Sequence, residues 1–170
     1  MDPFATLGVE ARFDLDLAAV EKTHRELSRA LHPDRYVSAG ATEKRQALGK
    51  AIEVNEAWRI LRDPIRRAQA LLTLRGVVMA EGREPPADPE FLMEMLEQRE
   101  ALDEAKQARD LPRIHAMATG VEARAKAVEH ELVAGFTKGE AASLIGKLGE
   151  LRFFRRFLDE VSAIEDELAA

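Results

Sequence analysis

The sequence holds 170 residues with a formal net charge of −6 and no cysteine. The lack of cysteine excludes disulfides, thiolate-bound metals and cysteine-ligated clusters. No apolar stretch approaches the ~20 residues that a membrane-spanning helix needs, and no secretory signal opens the chain, so we expect a cytoplasmic protein.

Charge is distributed unevenly along the chain. Residues 1–75 carry 13 Lys and Arg against 11 Asp and Glu, whereas the remaining residues carry 12 against 20. The strongly acidic second half argues against a nucleic-acid partner, because phosphates repel carboxylates.

The first predicted elements are a short helix and a longer amphipathic one. Asp2, Pro3 and Gly8 provide a cap, a first-turn proline and a stop for the short helix. The longer helix ends at Leu31, and its apolar stripe contains Val20, His24, Leu27 and Leu31. The opposite side is cationic and suits an acidic protein surface; it carries Lys22, Arg25 and Arg29.

The tripeptide His32-Pro33-Asp34 follows, in a predicted tight loop. Proline disfavours helix at the preceding residue, so the tripeptide should separate two antiparallel helices. The second of these runs from about Thr42 to Leu61, with Trp58 in its core, and a short helix spans Ile65–Arg75. His32 and Asp34 could form a catalytic dyad or ligate a metal, but no nucleophile and no third ligand accompanies them; a plain turn is the other structural interpretation.

Residues 76–87 lose all periodicity and contain several Gly and Pro, which predicts a linker. Residues 88–170 then predict a three-helix antiparallel bundle. Its helices run from Asp88 to about Arg109, from Asp110 to Gly135, and from a capping box at Thr137–Glu140 toward Leu168. Alternating strand patterns are absent, so the predicted fold class is all-α.

The first helix of this bundle carries more apolar residues than one buried stripe requires. Phe91, Met95 and Leu102 form the expected core stripe. A second face of this helix combines apolar and acidic side chains: Leu92, Met93, Leu96, Glu97, Glu100 and Glu104. On the last helix, Phe153 likewise points away from the core stripe. This face is either a protein-binding surface or a face that packs beneath the front domain or the linker.

Two sets of motifs resemble known families. Phe4–Val9, the basic helix, His32–Tyr36 and Asn55–Pro64 resemble a J-domain over residues 1–75. With Phe91–Glu97, Arg99-Glu100 and Leu102–Glu104 in the second half, the whole chain resembles the HscB co-chaperones of iron-sulfur cluster assembly.

This resemblance implies a two-domain adaptor that is not an enzyme and has no cofactor or bound metal of its own. Its J-domain would stimulate the ATPase of an HscA-type chaperone of the DnaK class, and its rear domain would bind the iron-sulfur scaffold protein IscU. The implied chaperone-binding residues are His32, Pro33, Asp34, Lys22, Arg25, Arg29 and Arg35. The implied scaffold-binding residues are Leu92, Met93, Leu96, Glu97, Glu100, Glu104 and Phe153. The alternatives are a general J-protein that delivers unfolded clients to DnaK and a purely structural helical protein.

Overall fold

The chain folds into two compact helical units. The computed structural model describes residues 1–77 and 88–169, and the units comprise Met1–Val78 and Met79–Ala170. The described residues are mainly helical and contain no strand, which confirms the all-α prediction. The predicted linker lies outside the described residues from position 78 onward.

The front unit contains four α-helices and one 3-10 helix. The α-helices are α1 Pro3–Leu7, α2 Leu17–Ala30, α3 Ala41–Leu61 and α4 Pro64–Leu74. The 3-10 helix, Pro33–Tyr36, lies between α2 and α3. Carboxylates of Asp2, Asp16 and Asp63 accept hydrogen bonds from backbone N–H groups at the starts of α1, α2 and α4. These N–H groups have no partner within the helix, so each aspartate fixes where its helix begins.

Apolar side chains from all four α-helices form the core of this unit. Fully buried members include Phe4, Leu7, Ala57, Leu61, Ala68, Leu71 and Leu72. Arg67 is buried among them, with 6% of its surface exposed. Its Nη1 donates to the Leu61 carbonyl at 2.6 Å, and its guanidinium lies 4.7 Å from the centre of the Phe13 ring. Arg67 therefore satisfies a carbonyl at the end of α3, a role that the sequence patterns did not predict.

The rear unit is the predicted three-helix bundle, formed by α5 Pro89–Gln107, α6 Leu111–Lys138 and α7 Ile145–Ala169. The order of the ion pairs between these helices shows their relative directions. Arg99 pairs with Glu160 and Lys106 with Glu167, so α5 and α7 run parallel. Along α6 the order reverses, because Glu94 pairs with Arg124 whereas the later residue Glu104 pairs with the earlier residue Arg113.

The connection between α6 and α7 differs from the prediction. Gly135 does not end α6; it is buried inside the helix, and Gly139, with a φ of 81°, forms the left-handed cap. Thr137 does not cap α7, because its hydroxyl donates to the Val133 carbonyl within α6 at 2.8 Å. A 3-10 helix, Ala141–Leu144, leads into α7 instead.

The absence of a side chain at Gly135 serves packing. A Cβ built at this position would overlap the side chain of Leu144, which is buried at the end of the 3-10 helix that precedes α7. At the start of α7, Lys147 forms an ion pair with Glu131 of α6, with its Nζ 2.9 Å from the carboxylate. This hydrogen bond raises the pKa of Lys147.

We expect alanine to have opposite effects at two glycines of α6. Gly120→Ala meets nothing within 4 Å and should raise the free energy of unfolding by ~0.5–1 kcal/mol, because alanine favours helix. Gly135→Ala gains the same propensity but displaces Leu144, so we expect a net loss of ~1 kcal/mol. Urea denaturation measures both values; equal stabilisation by the two variants would contradict the close packing at Gly135.

Candidate functional site

The His-Pro-Asp tripeptide lies in the connection between α2 and α3, where the sequence predicted a tight loop, and it begins the 3-10 helix. His32 is the N-cap, with φ and ψ of −61° and 134°, and Pro33 is the first helical residue. Extended geometry before a proline avoids a clash with the proline ring. The tripeptide is thus held in a regular turn directly after α2.

The His32 and Asp34 side chains are close together and exposed. The Asp34 backbone N–H donates to Nδ1 of His32 at 3.3 Å, and a carboxylate oxygen of Asp34 lies 3.4 Å from the same nitrogen. The two side chains are 59% and 85% exposed. In the described part of the chain, no three His, Asp or Glu side chains converge as a metal site. Both polar side chains are therefore accessible from solvent.

The predicted cationic stripe lies on the outer face of α2 and leads to the tripeptide. Lys22, Arg25 and Arg29 are all exposed, and Arg29 stands in the last turn of the helix. Arg25 lies 3.8 Å from Glu21 on the same helix, which weakens its field only partly because both side chains are exposed. Arg35 is also exposed, within the 3-10 helix.

A polar contact that we did not predict joins α2 to α3. His24 Nε2 lies 2.9 Å from Asn55 Oδ1, and the His24 ring stacks on Trp58 with the ring centres 5.6 Å apart. Trp58 is half-buried, whereas we expected it in the core. This contact joins the two helices of the antiparallel hairpin and agrees with the rotation of α2 that buries Val20.

The second face of α5 is exposed. Leu92, Met93 and Leu96 are 40%, 58% and 52% exposed. Glu97, Glu100 and Glu104 are exposed as well, and the Glu104 carboxylate pairs with Arg113 of α6 at 3.2 Å. The combination of exposed apolar and acidic side chains therefore exists as the sequence predicted.

These six residues form two adjacent stripes along α5. Leu92 and Leu96 share the side of the helix with Arg99, whose ion pair to Glu160 points toward α7. Met93, Glu97 and Glu100 share the side with Glu104, whose ion pair points toward α6. An apolar stripe thus borders α7, and a mainly acidic stripe borders α6.

Phe153 requires a correction. The sequence suggested an exposed ring, but the residue is half-buried. Its ring meets Phe91 edge-on with the centres 5.6 Å apart, and the Arg156 guanidinium lies 4.5 Å above it. Aromatic edge-to-face packing explains the difference, since the helical pattern alone does not reveal contacts made by a long side chain at the flank of a helix.

Comparisons with known proteins agree with this architecture. Residues 2–70 match the family model of the DnaJ domain, and residues 87–162 match that of the HSCB C-terminal oligomerisation domain. The chaperone HscB from Vibrio cholerae has a similar structure, with a TM-score of 0.89, 30% sequence identity and 99% of each chain covered. The fold also resembles human co-chaperone protein HscB, with a TM-score of 0.89 and 24% identity over 97% of this chain and 82% of the human one.

A J-domain with an exposed His-Pro-Asp turn, followed by a separate helical bundle, defines a J-domain co-chaperone, a class of proteins that are not enzymes. The bundle gives the particular family. The chain belongs to the HscB family, because both of its units match and the similarity to a member extends over the full chain. No helix within residues 1–77 and 88–169 is long and apolar enough to cross a membrane.

The exposure difference between Leu96 and Phe153 leads to a stability prediction. Leu96→Ser should change the free energy of unfolding by less than ~0.5 kcal/mol, since the side chain is half exposed and opens no cavity. Phe153→Ala should cost ~1–2 kcal/mol, because it removes the contacts with Phe91 and Arg156. Urea denaturation of the two variants tests this, and a neutral Phe153→Ala would contradict the half-buried position.

Proposed function

We propose that this protein binds the iron-sulfur scaffold IscU through α5 and delivers it to an HscA-type chaperone of the DnaK class. The proposal is supported above all by two separate exposed surfaces. One is the His-Pro-Asp turn with the cationic side of α2, and the other is the apolar and acidic face of α5. Membership in the HscB family supports iron-sulfur cluster assembly as the process.

On the chaperone side, association begins with long-range attraction. The exposed charges of Lys22, Arg25 and Arg29 attract an acidic surface and raise the association rate. Once docked, His32 and Asp34 supply a ring nitrogen and a carboxylate from a turn whose backbone is already fixed by Pro33. A rigid turn loses little conformational entropy on binding, so its few contacts can favour the ATP-hydrolysing state of the chaperone.

On the scaffold side, Leu92, Met93 and Leu96 provide the apolar contact, and Glu97 and Glu100 provide charges at its edge. This arrangement resembles a small protein interface with an apolar centre and a polar rim. In this proposal the chaperone binds ATP and the scaffold holds the cluster; this chain has no cysteine that could ligate a cluster.

Two other functions predict different behaviour of the α5 face. A general J-protein would use it for unfolded clients, which favours a broad and adaptable apolar surface over three apolar side chains beside carboxylates. The second alternative is that this face joins two copies of the protein. It is favoured by the description of the matching family model as an oligomerisation domain.

We expect His32→Gln to abolish stimulation of the chaperone ATPase without changing the melting temperature, because the side chain is exposed and holds only a local cap. His130→Gln is the matched control, since it removes an exposed imidazole from α6. Steady-state ATP hydrolysis by HscA measures the effect. Full stimulation by His32→Gln would contradict the proposed docking of the turn.

We expect the double substitution Leu92→Ser and Leu96→Ser to weaken IscU binding by at least ~1 kcal/mol per residue, because interface centres lose most from such changes. The control is Leu48→Ser with Ile52→Ser on α3, a pair that is 55% and 62% exposed in the front unit. Calorimetric titration measures affinity for folded IscU and for an unfolded polypeptide, and sedimentation measures the mass of the free protein.

Loss of IscU binding by the α5 variant alone supports the proposal. Unchanged IscU affinity would refute the proposal. Sedimentation and the titration with unfolded polypeptide would then identify the alternative function. A fall in mass would assign the face to self-association, and a loss of unfolded-polypeptide binding would assign it to general clients.

A further inference from the structure

A groove with a volume of about 420 Å³ runs between α5 and α7. Its lower part is apolar, formed by the buried side chains of Met95 and Phe157 with Phe153 beside them. Its rim is charged and contains Arg99, Arg156 and Glu160. A concave apolar surface with a few polar groups at its edge is typical of a binding site.

The two arginines on this rim are in different states. Arg99 already has a carboxylate partner, because its Nε lies 3.3 Å from the Glu160 carboxylate across the groove. Arg156 is exposed and has no carboxylate partner among residues 1–77 and 88–169. Its guanidinium lies 4.5 Å above the Phe153 ring, an attraction that restricts the side chain while leaving its N–H donors available.

The groove is continuous with the α5 face. Phe153 lines the groove, and Leu92 and Leu96 share the side of α5 with the groove residue Arg99. On the far side of those leucines lie the carboxylates of Glu97 and Glu100. The combined surface is therefore acidic at one edge, apolar in the middle and cationic at the other edge.

We infer that this groove is a subsite for a partner segment in which an apolar side chain stands next to an Asp or Glu. The inference rests on the proposed function and specifies the chemistry of the scaffold surface. The apolar side chain packs against Phe153 and Phe157, and the neighbouring carboxylate accepts hydrogen bonds from Arg156. Arginine can bind such a carboxylate through two parallel hydrogen bonds, which adds directional specificity.

Phe153 is then a positioning residue as well as an apolar contact, because it holds the guanidinium that binds the carboxylate. Replacing Phe153 with Leu keeps an apolar side chain but removes the aromatic face. If the ring acts through Arg156, the effects of Phe153→Leu and Arg156→Gln on affinity should not add, since either change removes the same contact.

The test is calorimetric titration of IscU into the parent protein, Arg156→Gln, Phe153→Leu and the double variant at low and high salt. We expect Arg156→Gln to weaken binding about five- to tenfold and to reduce the salt dependence, with Arg156→Lys recovering only part of the loss. Lys126→Gln on α6 is the matched control, since it removes one exposed positive charge outside the groove.

Parent-like affinity of Arg156→Gln at both salt concentrations would overturn the inference, and so would an equal loss in Lys126→Gln. Additive effects of Phe153→Leu and Arg156→Gln would overturn the positioning role of the ring. The double substitution of Leu92 and Leu96 by Ser distinguishes the two levels. If it abolishes binding while Arg156→Gln does not, the scaffold still binds α5 and only the carboxylate subsite is wrong.

Discussion

An amphipathic helix in a small bundle buries one side, and this constraint determines where both surfaces of the protein lie. In α2, Val20 is buried against the core, and the cations stand on the opposite side. In α5, Met95, Leu102 and Ala105 are buried, which leaves the opposite side of the helix to solvent. A three-helix bundle has no fourth helix to cover that side, so its apolar residues stay available to a partner.

The polar contacts that α2 and α5 make with neighbouring helices agree with this burial. The contact of His24 with Asn55 favours the rotation of α2 that buries Val20 and turns the cationic stripe outward. In α5, Arg99 on the side of Leu92 pairs with α7, and Glu104 in the acidic stripe pairs with α6. Exposed pairs of this kind contribute little to stability individually. They agree with the orientation that the buried stripe of α5 imposes.

Helix beginnings were predictable because they depend on local chemistry. Asp2, Asp88 and Asp110 each cap a helix, with proline at one of its first two positions, as the sequence indicated. The end of α6 was not predictable in the same way. Gly135 and Gly139 are both plausible helix stops in sequence, and only the packing of Leu144 against Gly135 distinguishes them.

The same limit applies to the candidate sites. Exposure of Leu92, Met93 and Leu96 followed from helical periodicity, since one stripe of α5 already accounted for its core. The half-buried position of Phe153 depends on its contact with Phe91, a residue sixty-two positions earlier, which no local pattern encodes. The buried Arg67 is a further example, because its partner is a backbone carbonyl that only the fold brings near.

The ion pairs of α5 also bear on the handedness of the bundle. Toward α7 this helix contributes cations, Arg99 and Lys106, whereas toward α6 it contributes carboxylates, Glu94 and Glu104. Three helices joined in this order can wind to the left or to the right with similar burial of apolar surface. In the mirror-image winding, each helix would turn its opposite flank to a given neighbour, so all four of these ion pairs would be lost. Each exposed pair is worth only ~0.2–1 kcal/mol, but together the four favour the observed winding by up to a few kcal/mol.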